Sequence, residues 1–328
     1  MTIDIHSHVM VPEAAELVRP HLEPGKIPAV RFATEDTNAL NRQQEAERAG
    51  RMSSYDERLK DMDEMGLDMQ IVSPSPSQIY FSLPIEIAAP ATRKVNDGVA
   101  AFVAGKQDRF AGIGTVPLQD TGEAVSELER CMSKLGLKGA EILTNMNGRE
   151  LSDPAFEPFW AKAESLGTLV MIHPVGFTEG ARLSRFYFNN VIGNPFDTTV
   201  AIHHLIFDGV LERYPNLKIL AVHGGGYAAA YAGRMDHAWG ARSDSRGTLP
   251  QPPTTYLKRF YFDTVVFTPH QLEALVQTFG ADRILMGTDY PFDMGEYDPV
   301  GHIASVEQFD SRTRAAIAGG NAKRLLKL

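Results

Sequence analysis

Short apolar runs recur along the chain, with longer amphipathic stretches between them. The runs predict strands at Thr2–His8, Met69–Pro74, Phe110–Pro117, Leu137–Leu143, Thr168–His173, Lys218–His223, Phe260–Val265 and Arg283–Asp289. Most of the gaps carry a helical pattern, at Asp56–Met65, Ala88–Lys106, Thr121–Leu135, Pro154–Leu166, Thr198–Tyr214, Ala228–Trp239 and Pro269–Phe279. Strands alternating with helices imply βαβ units and a parallel sheet. Eight such repeats predict one α/β domain over 1–328, a (β/α)₈ TIM barrel whose final helix, Ser311–Lys327, closes the outer ring. Two stretches break the rhythm. Residues 9–54 are long, proline-containing and weakly periodic, and read as an inserted loop after the first strand. Trp239–Thr255 contains RSDSRGTLPQPP, a polar loop before the seventh strand. Long loops in a compact domain are usually functional or disordered.

Composition narrows the class. A chain of 328 residues with 43% hydrophobic residues can bury a sizeable core. Its formal net charge of −9, with no Lys/Arg-rich run, gives no footprint for nucleic acid. An anionic small-molecule substrate must then be met by a few local arginines. Cys131 is the only cysteine, which excludes an intramolecular disulfide and fits a reducing compartment. No basic and apolar leader is visible, and no apolar run approaches the ~20 residues needed to span a bilayer. The expectation is a cytoplasmic enzyme with no membrane partner.

The chemistry gathers at strand ends. His6 and His8 end the first strand, two apart, and side chains at i and i+2 on a strand point the same way. His173 ends the fifth strand, His223 the sixth and Asp289 the eighth. In a barrel these ends form one rim, the one that carries catalysis. Three imidazoles and a carboxylate are ligand types of a divalent metal, most simply Zn²⁺. The expected ligands are His6, His8, His173 and Asp289. A second metal would need a bridging group at the end of strand four. The only lysine of that strand, Lys138, lies at its start, so one metal ion is expected.

His223 is set apart as a general acid or base, because an imidazole exchanges protons near neutral pH. Asp289 serves both as ligand and as its proton-transfer partner. His223-Gly224-Gly225-Gly226 is also the oxyanion-hole signal of serine esterases, but that reading requires a G-x-S-x-G elbow, which this sequence lacks. His21, His237, His270 and His302 read as surface residues, and the adjacent His203 and His204 as structural. Arg234, on the helix after the glycines, reads equally as a surface ion pair or as a carboxylate clamp.

The motifs IDIHSH, RLKDMDEMGLDMQIVS, MIHP, HGGGYAAAYAGRMDHAW, QPPTTYLKRFYFDTVVF, LMGTDYPFDMGE and GNAKRLL together resemble the amidohydrolase superfamily. Within it they resemble the branch of 2-amino-3-carboxymuconate-6-semialdehyde decarboxylase and related non-oxidative decarboxylases. The resemblance implies a (β/α)₈ barrel and a mononuclear Zn²⁺ on His6, His8, His173 and Asp289. It implies a catalytic His223, and a homodimer in which Arg234 reaches a substrate carboxylate in the neighbouring subunit. Two departures fall on the substrate pocket. His173-Pro174-Val175-Gly176 stands where the branch has a tryptophan-aspartate pair after the histidine. A second substrate arginine of the branch aligns cleanly with neither Arg48 nor Arg51. The sequence therefore predicts decarboxylation of a carboxylated aromatic or muconate-semialdehyde-like acid without an organic cofactor. A metal-dependent hydrolase or hydratase on the same residues is the alternative, and a barrel that only binds is the reading from another class.

Overall fold

A computed structural model describes all residues, 1–328. Ile3–Val9 pairs in parallel with Met69–Pro74, which pairs with Phe110–Gly112. A second parallel sheet runs in the order Gly114–Thr115, Gly139–Leu143, Leu169–His173, Lys218–Ala221, Tyr261–Asp263, Ile284–Leu285. Every expected strand is present and each lies beside its neighbours in sequence. Phe110–Gly112 and Gly114–Thr115 are one interrupted run, and the Ile113 amide between them donates to the Val72 carbonyl at 2.9 Å. At the other edge, the Ile5 amide donates to Met286 and the His8 amide to Tyr290, each at 2.8 Å. The first strand therefore also meets the segment that leaves the last one.

Two apolar cores follow from the two faces of the strands. Ile3, Ile5, Ile71, Ile113, Met171 and Leu220 belong to a cluster of 14 buried residues on the inner side. A cluster of 61 residues lies between the strands and the helices, with Trp160, Phe156 and Phe262 among its largest members. The strict alternation of a strand would put Ile3 and Ile5 on one face and His6 and His8 on the other. The structure instead has a register shift between Asp4 and Ser7, so that Ser7 pairs with Val72 and His8 with Ser73. One extra residue is accommodated, as in a β-bulge. The isoleucines and both histidines then face the same interior.

The helices match the periodic stretches, with breaks where the backbone demands them. The run expected at Thr198–Tyr214 is two helices, Asn194–Phe207 and Val210–Arg213, divided at Gly209 with φ +77°. The run expected at Ser311–Lys327 has a π turn, Ala316–Gly320, in its middle.

Residues 9–54 are not the irregular loop expected. They form the helices Pro12–Val18, Pro28–Arg31, Glu35–Glu47 and Ala49–Ser53. The longest starts at an N-cap, where the Thr34 side chain accepts from the Thr37 amide, with Glu35 and Asp36 in its first turn. It buries no residue, so it needs no apolar stripe, and periodicity had nothing to detect. The polar stretch before the seventh strand likewise contains a short helix, Ser243–Arg246. No helix is long and apolar enough to cross a membrane.

Candidate metal centre and active site

His6, His8, His173 and Asp289 converge, with one potential ligand atom from each lying within 4.8 Å of all the others. All four side chains are buried. Each imidazole commits its Nδ1 to an oxygen. His6 Nδ1 donates to Asp263 Oδ2 at 2.7 Å, His8 Nδ1 to the Pro74 carbonyl at 3.1 Å, and His173 Nδ1 to the Pro174 carbonyl at 2.7 Å. A neutral imidazole with Nδ1 protonated has a bare Nε2. Three lone pairs are thereby aimed at one point. His6 Nε2 and His8 Nε2 stand 3.1 Å apart, and both lie within 3.3 Å of Asp289 Oδ1. His173 Nε2 is buried with no hydrogen-bond partner. Lone pairs and a carboxylate packed this closely repel one another unless a cation sits among them. The donor set fits one divalent ion, and its outer oxygens fix each ring as metal-ligating histidines require.

The charge states agree with that role. Burial lowers the His6 imidazole to about 4, against the pull of Asp289 and Asp263, so it is neutral at pH 7. Burial alone would raise Asp289, but the His6, His173, His223 and His8 imidazoles outweigh it and hold the carboxyl well below its ordinary value.

Beneath the ligands, Asp4 is wholly buried and accepts from the His6 amide at 3.0 Å, Gln70 Nε2 at 3.0 Å, the Thr288 amide at 3.0 Å and Thr288 Oγ1 at 2.6 Å. It joins the first, second and last strands at the level where the ligands leave them. The Arg58 guanidinium, also buried, donates to Gln70 Oε1 at 2.9 Å and to the His8 carbonyl.

His223 stands outside the ligand set. Its Nε2 is 3.4 Å from Asp289 Oδ2, the carboxylate oxygen that the other histidines leave free, and its Nδ1 is buried without a partner. Burial on its own would lower this imidazole, but the hydrogen bond and charge of Asp289, with Asp263 and Glu141 behind, raise it above its ordinary value. Both residues of the pair sit in left-handed backbone, His223 at φ 54° and Asp289 at φ 60°. Such strain in non-glycine residues gathers at functional sites. The glycines after His223 are not an oxyanion hole. Their amides are used internally, Gly224 donating to Asp263 Oδ1, Gly225 to the Val222 carbonyl and Gly226 to the His223 carbonyl.

His173, His223 and Asp289 form the floor of a cavity of about 420 Å³. Its roof comes from residues 9–54, including Ile27, Val30, Phe32 and Arg48. Val175 and Gly176, the departure noted in the sequence, are where this roof touches the wall. The Ala29 amide donates to the Val175 carbonyl at 3.1 Å, and Gly176 lies at φ +87° with no room for a Cβ beside the Ala29 backbone.

Of the two nearby arginines, Arg48 faces the cavity. Its Cζ lies 4.8 Å from the centre of the Phe292 ring, and its Nε is buried and unpaired. Arg51 turns away, with its Nε donating to Asp61 Oδ2 at 2.7 Å. Arg234 is exposed and does not line this cavity. His203 and His204 are outside the cluster, bonded to the Thr199 carbonyl and to Asp208. His302, expected at the surface, is buried.

A sequence profile described as Amidohydrolase matches residues 3–328. The chain belongs to the amidohydrolase family. The 2-amino-3-carboxymuconate-6-semialdehyde decarboxylase of Dictyostelium discoideum is 35% identical over 274 residues, covering 83% of this chain and 76% of that protein. The gamma-resorcylate decarboxylase of Rhodococcus jostii (strain RHA1) is 28% identical over 302 residues, covering 83% and 87%. The crystal structure of 5-carboxyvanillate decarboxylase from Sphingomonas paucimobilis aligns with a TM-score of 0.87 at 26% identity, over 100% of this chain and 99% of that one. A dihydroxybenzoic acid decarboxylase from Polaromonas sp. JS666 aligns at 0.83 and 25% identity, over 100% and 97% of the two chains. It was solved with bound manganese and the inhibitor 2-nitroresorcinol.

Amidohydrolase neighbours of this similarity imply a TIM barrel, in line with the parallel sheets described above. In this amidohydrolase the sequence reading missed two carboxylates near the ligands. Asp263 bonds to His6. Glu141 is wholly buried, with Oε2 3.8 Å from His8 Nδ1, and burial pushes its carboxyl up to about 7. A signal for both was present: a lone acid inside an apolar strand, in YFD and in GAEIL, is seldom buried without a partner.

Proposed function

We propose that this amidohydrolase is a metal-dependent, non-oxidative decarboxylase of a small carboxylated aromatic or muconate-semialdehyde-like acid. One observation carries the reading: the His223 imidazole faces the free oxygen of Asp289 on the floor of a cavity whose roof holds Arg48, with no carboxylate paired to its guanidinium. His6, His8, His173 and Asp289 would hold the ion, which when bound supplies positive charge to steady the negative charge developing on the substrate. Arg48 binds a substrate carboxylate, and Phe292 beside it offers an aromatic face. His223 delivers the proton. As the bond between the substrate carbon and its carboxyl group breaks, CO₂ leaves without the bonding pair, and that pair takes the proton from His223 Nε2. Asp289 Oδ2 orients the protonated imidazole before the transfer, and its bond to Nε2 is given up as that proton leaves.

The test is product analysis in D₂O with metal-loaded protein and a panel of hydroxybenzoates and carboxymuconate semialdehydes. A product lighter by CO₂, with deuterium at the vacated carbon, supports the proposal. A product that has gained water, or split into two acids, overturns it in favour of hydrolysis or hydration. Metal content after purification without added metal distinguishes zinc, expected from the donor set, from the manganese present in the Polaromonas structure.

Arg48→Gln removes the charge-assisted bonds to the carboxylate. About 1.5–3 kcal/mol for such a bond translates into a KM roughly 10–150-fold higher, with a smaller change in kcat. An unchanged KM would remove Arg48 from the site.

The same proposal makes the working unit a homodimer. Arg234 is exposed beside Tyr231, which is 69% exposed, and Val191, Ile192, Phe196 and Tyr227 are exposed apolar residues of the neighbouring segments. A second copy covering them would bury Arg234 in the same interface. Arg234→Ala should mainly raise KM for a carboxylate substrate, and mixing it with inactive His223→Ala chains and allowing exchange should restore part of the activity. No recovery would place Arg234 outside the reaction.

A further inference from the structure

Asp263 lies on the seventh strand, 257 residues from His6 in sequence, and is wholly buried. Its two oxygens have separate duties. Oδ1 accepts from the Gly224 amide at 2.8 Å and the Val265 amide at 3.2 Å. Oδ2 meets His6 Nδ1 at 2.7 Å. Backbone amides can only donate, so Oδ1 is held as an acceptor. A carboxylate has no proton to offer, so His6 Nδ1 must be the donor, which leaves Nε2 bare and turned toward the other ligands. Gly224 directly follows His223 and shares its left-handed backbone, at φ +62°. One carboxylate thus touches both a metal ligand and the strained turn that presents the proton donor.

We propose that Asp263 is a positioning residue that fixes the metal-binding tautomer of His6 and, through Gly224, ties the His223 turn to the metal centre. The inference rests on the metal reading above. It predicts an unusual sensitivity to a change of one atom. In Asp263→Asn the amide oxygen stays with the two backbone donors, because only an acceptor is tolerated there. The NH₂ then faces His6 Nδ1, which must accept. The imidazole proton moves to Nε2 and points at the place where the ion belongs. Volume and fold are preserved while the ligand is disabled.

The experiment measures divalent-metal affinity by competition with a chromophoric chelator, using Zn²⁺ and Mn²⁺, for the wild type, Asp263→Asn and Asp197→Asn. Asp197 is a buried carboxylate bonded to Thr144 and Asn145, away from the centre, and controls for the general cost of such a change. Asp263→Asn should bind the ion roughly 10–100-fold more weakly, the range for losing an outer-shell partner of a metal-bound histidine. Asp197→Asn should bind as the wild type does. Metal-free melting temperatures of Asp263→Asn and wild type should be close, which separates a tautomer effect from a folding defect. If Asp263→Asn fails to fold, the wild type alone decides. Nitrogen-15 histidine spectra of the metal-free protein, with the His6 signals assigned by their loss in His6→Gln, should show the proton on Nδ1. Equal affinity of Asp263→Asn and wild type, or a wild-type His6 protonated on Nε2, overturns the proposal. A wild type that binds neither ion overturns the metal reading itself, and that outcome is distinct from both.

Discussion

Replacing His223 by Asn should leave the ion in place and cost about 10²–10⁴-fold in kcat, the range that a positioned general acid or base contributes. Asn is the informative substitution because position 223 lies at φ 54°. Asn tolerates left-handed backbone better than most residues, so the turn and its Gly224 bond to Asp263 survive. It carries no titratable proton, so the chemical step alone is removed. Metal stoichiometry and turnover are measured on the same preparation. A wild-type kcat would end the assigned role. Loss of the ion would instead make His223 a ligand, against the geometry that sets its Nε2 3.4 Å from Asp289 Oδ2 and outside the four-residue cluster.

The second large effect belongs to His173→Ala. His173 Nε2 has no partner among the protein's own atoms, and removing the side chain breaks a single local hydrogen bond, from Nδ1 to the Pro174 carbonyl. The metal-free variant should therefore melt near the metal-free wild type, less a modest packing loss. The difference appears on adding metal. An ion that binds only the folded state stabilises it by about 4 kcal/mol at a thousand times its Kd. Wild type should show that rise in melting temperature. His173→Ala should show almost none at the same concentration, and its turnover should fall to background. Its affinity loss should exceed the roughly 10–100-fold expected for an outer-shell partner. A full metal complement in this variant would remove His173 from the ligand set. The pairing of the two variants is decisive: one keeps the ion and loses chemistry, while the other loses both.

Some of this protein is written locally and is legible from the chain alone. The eight strands and most helices follow from period and length, because each buries a face that the sequence must supply. The ligand types are legible for the same reason. His6, His8, His173 and Asp289 each sit at the end of an apolar strand, and the parallel order of such strands brings those ends to one rim. The helices within 9–54 were not legible, since Glu35–Glu47 buries nothing and leaves no stripe. Nor was the choice between Arg48 and Arg51. Three residues apart, they differ only in that Asp61 captures one of them.

The tertiary structure alone decided the points on which the chemistry turns. IDIHSH, taken as an ideal strand, sends its isoleucines and histidines to opposite faces, and only the register shift between Asp4 and Ser7 brings both inside. Which ring nitrogen of His6 is bare depends on Asp263, 257 residues away. Whether Asp289 meets His223 depends on two left-handed residues in separate loops. Residue type, fixed by sequence, sets which atoms can bind a metal or move a proton. Distance and tautomer are set by partners that meet only when the strands are assembled, and no local pattern encodes them.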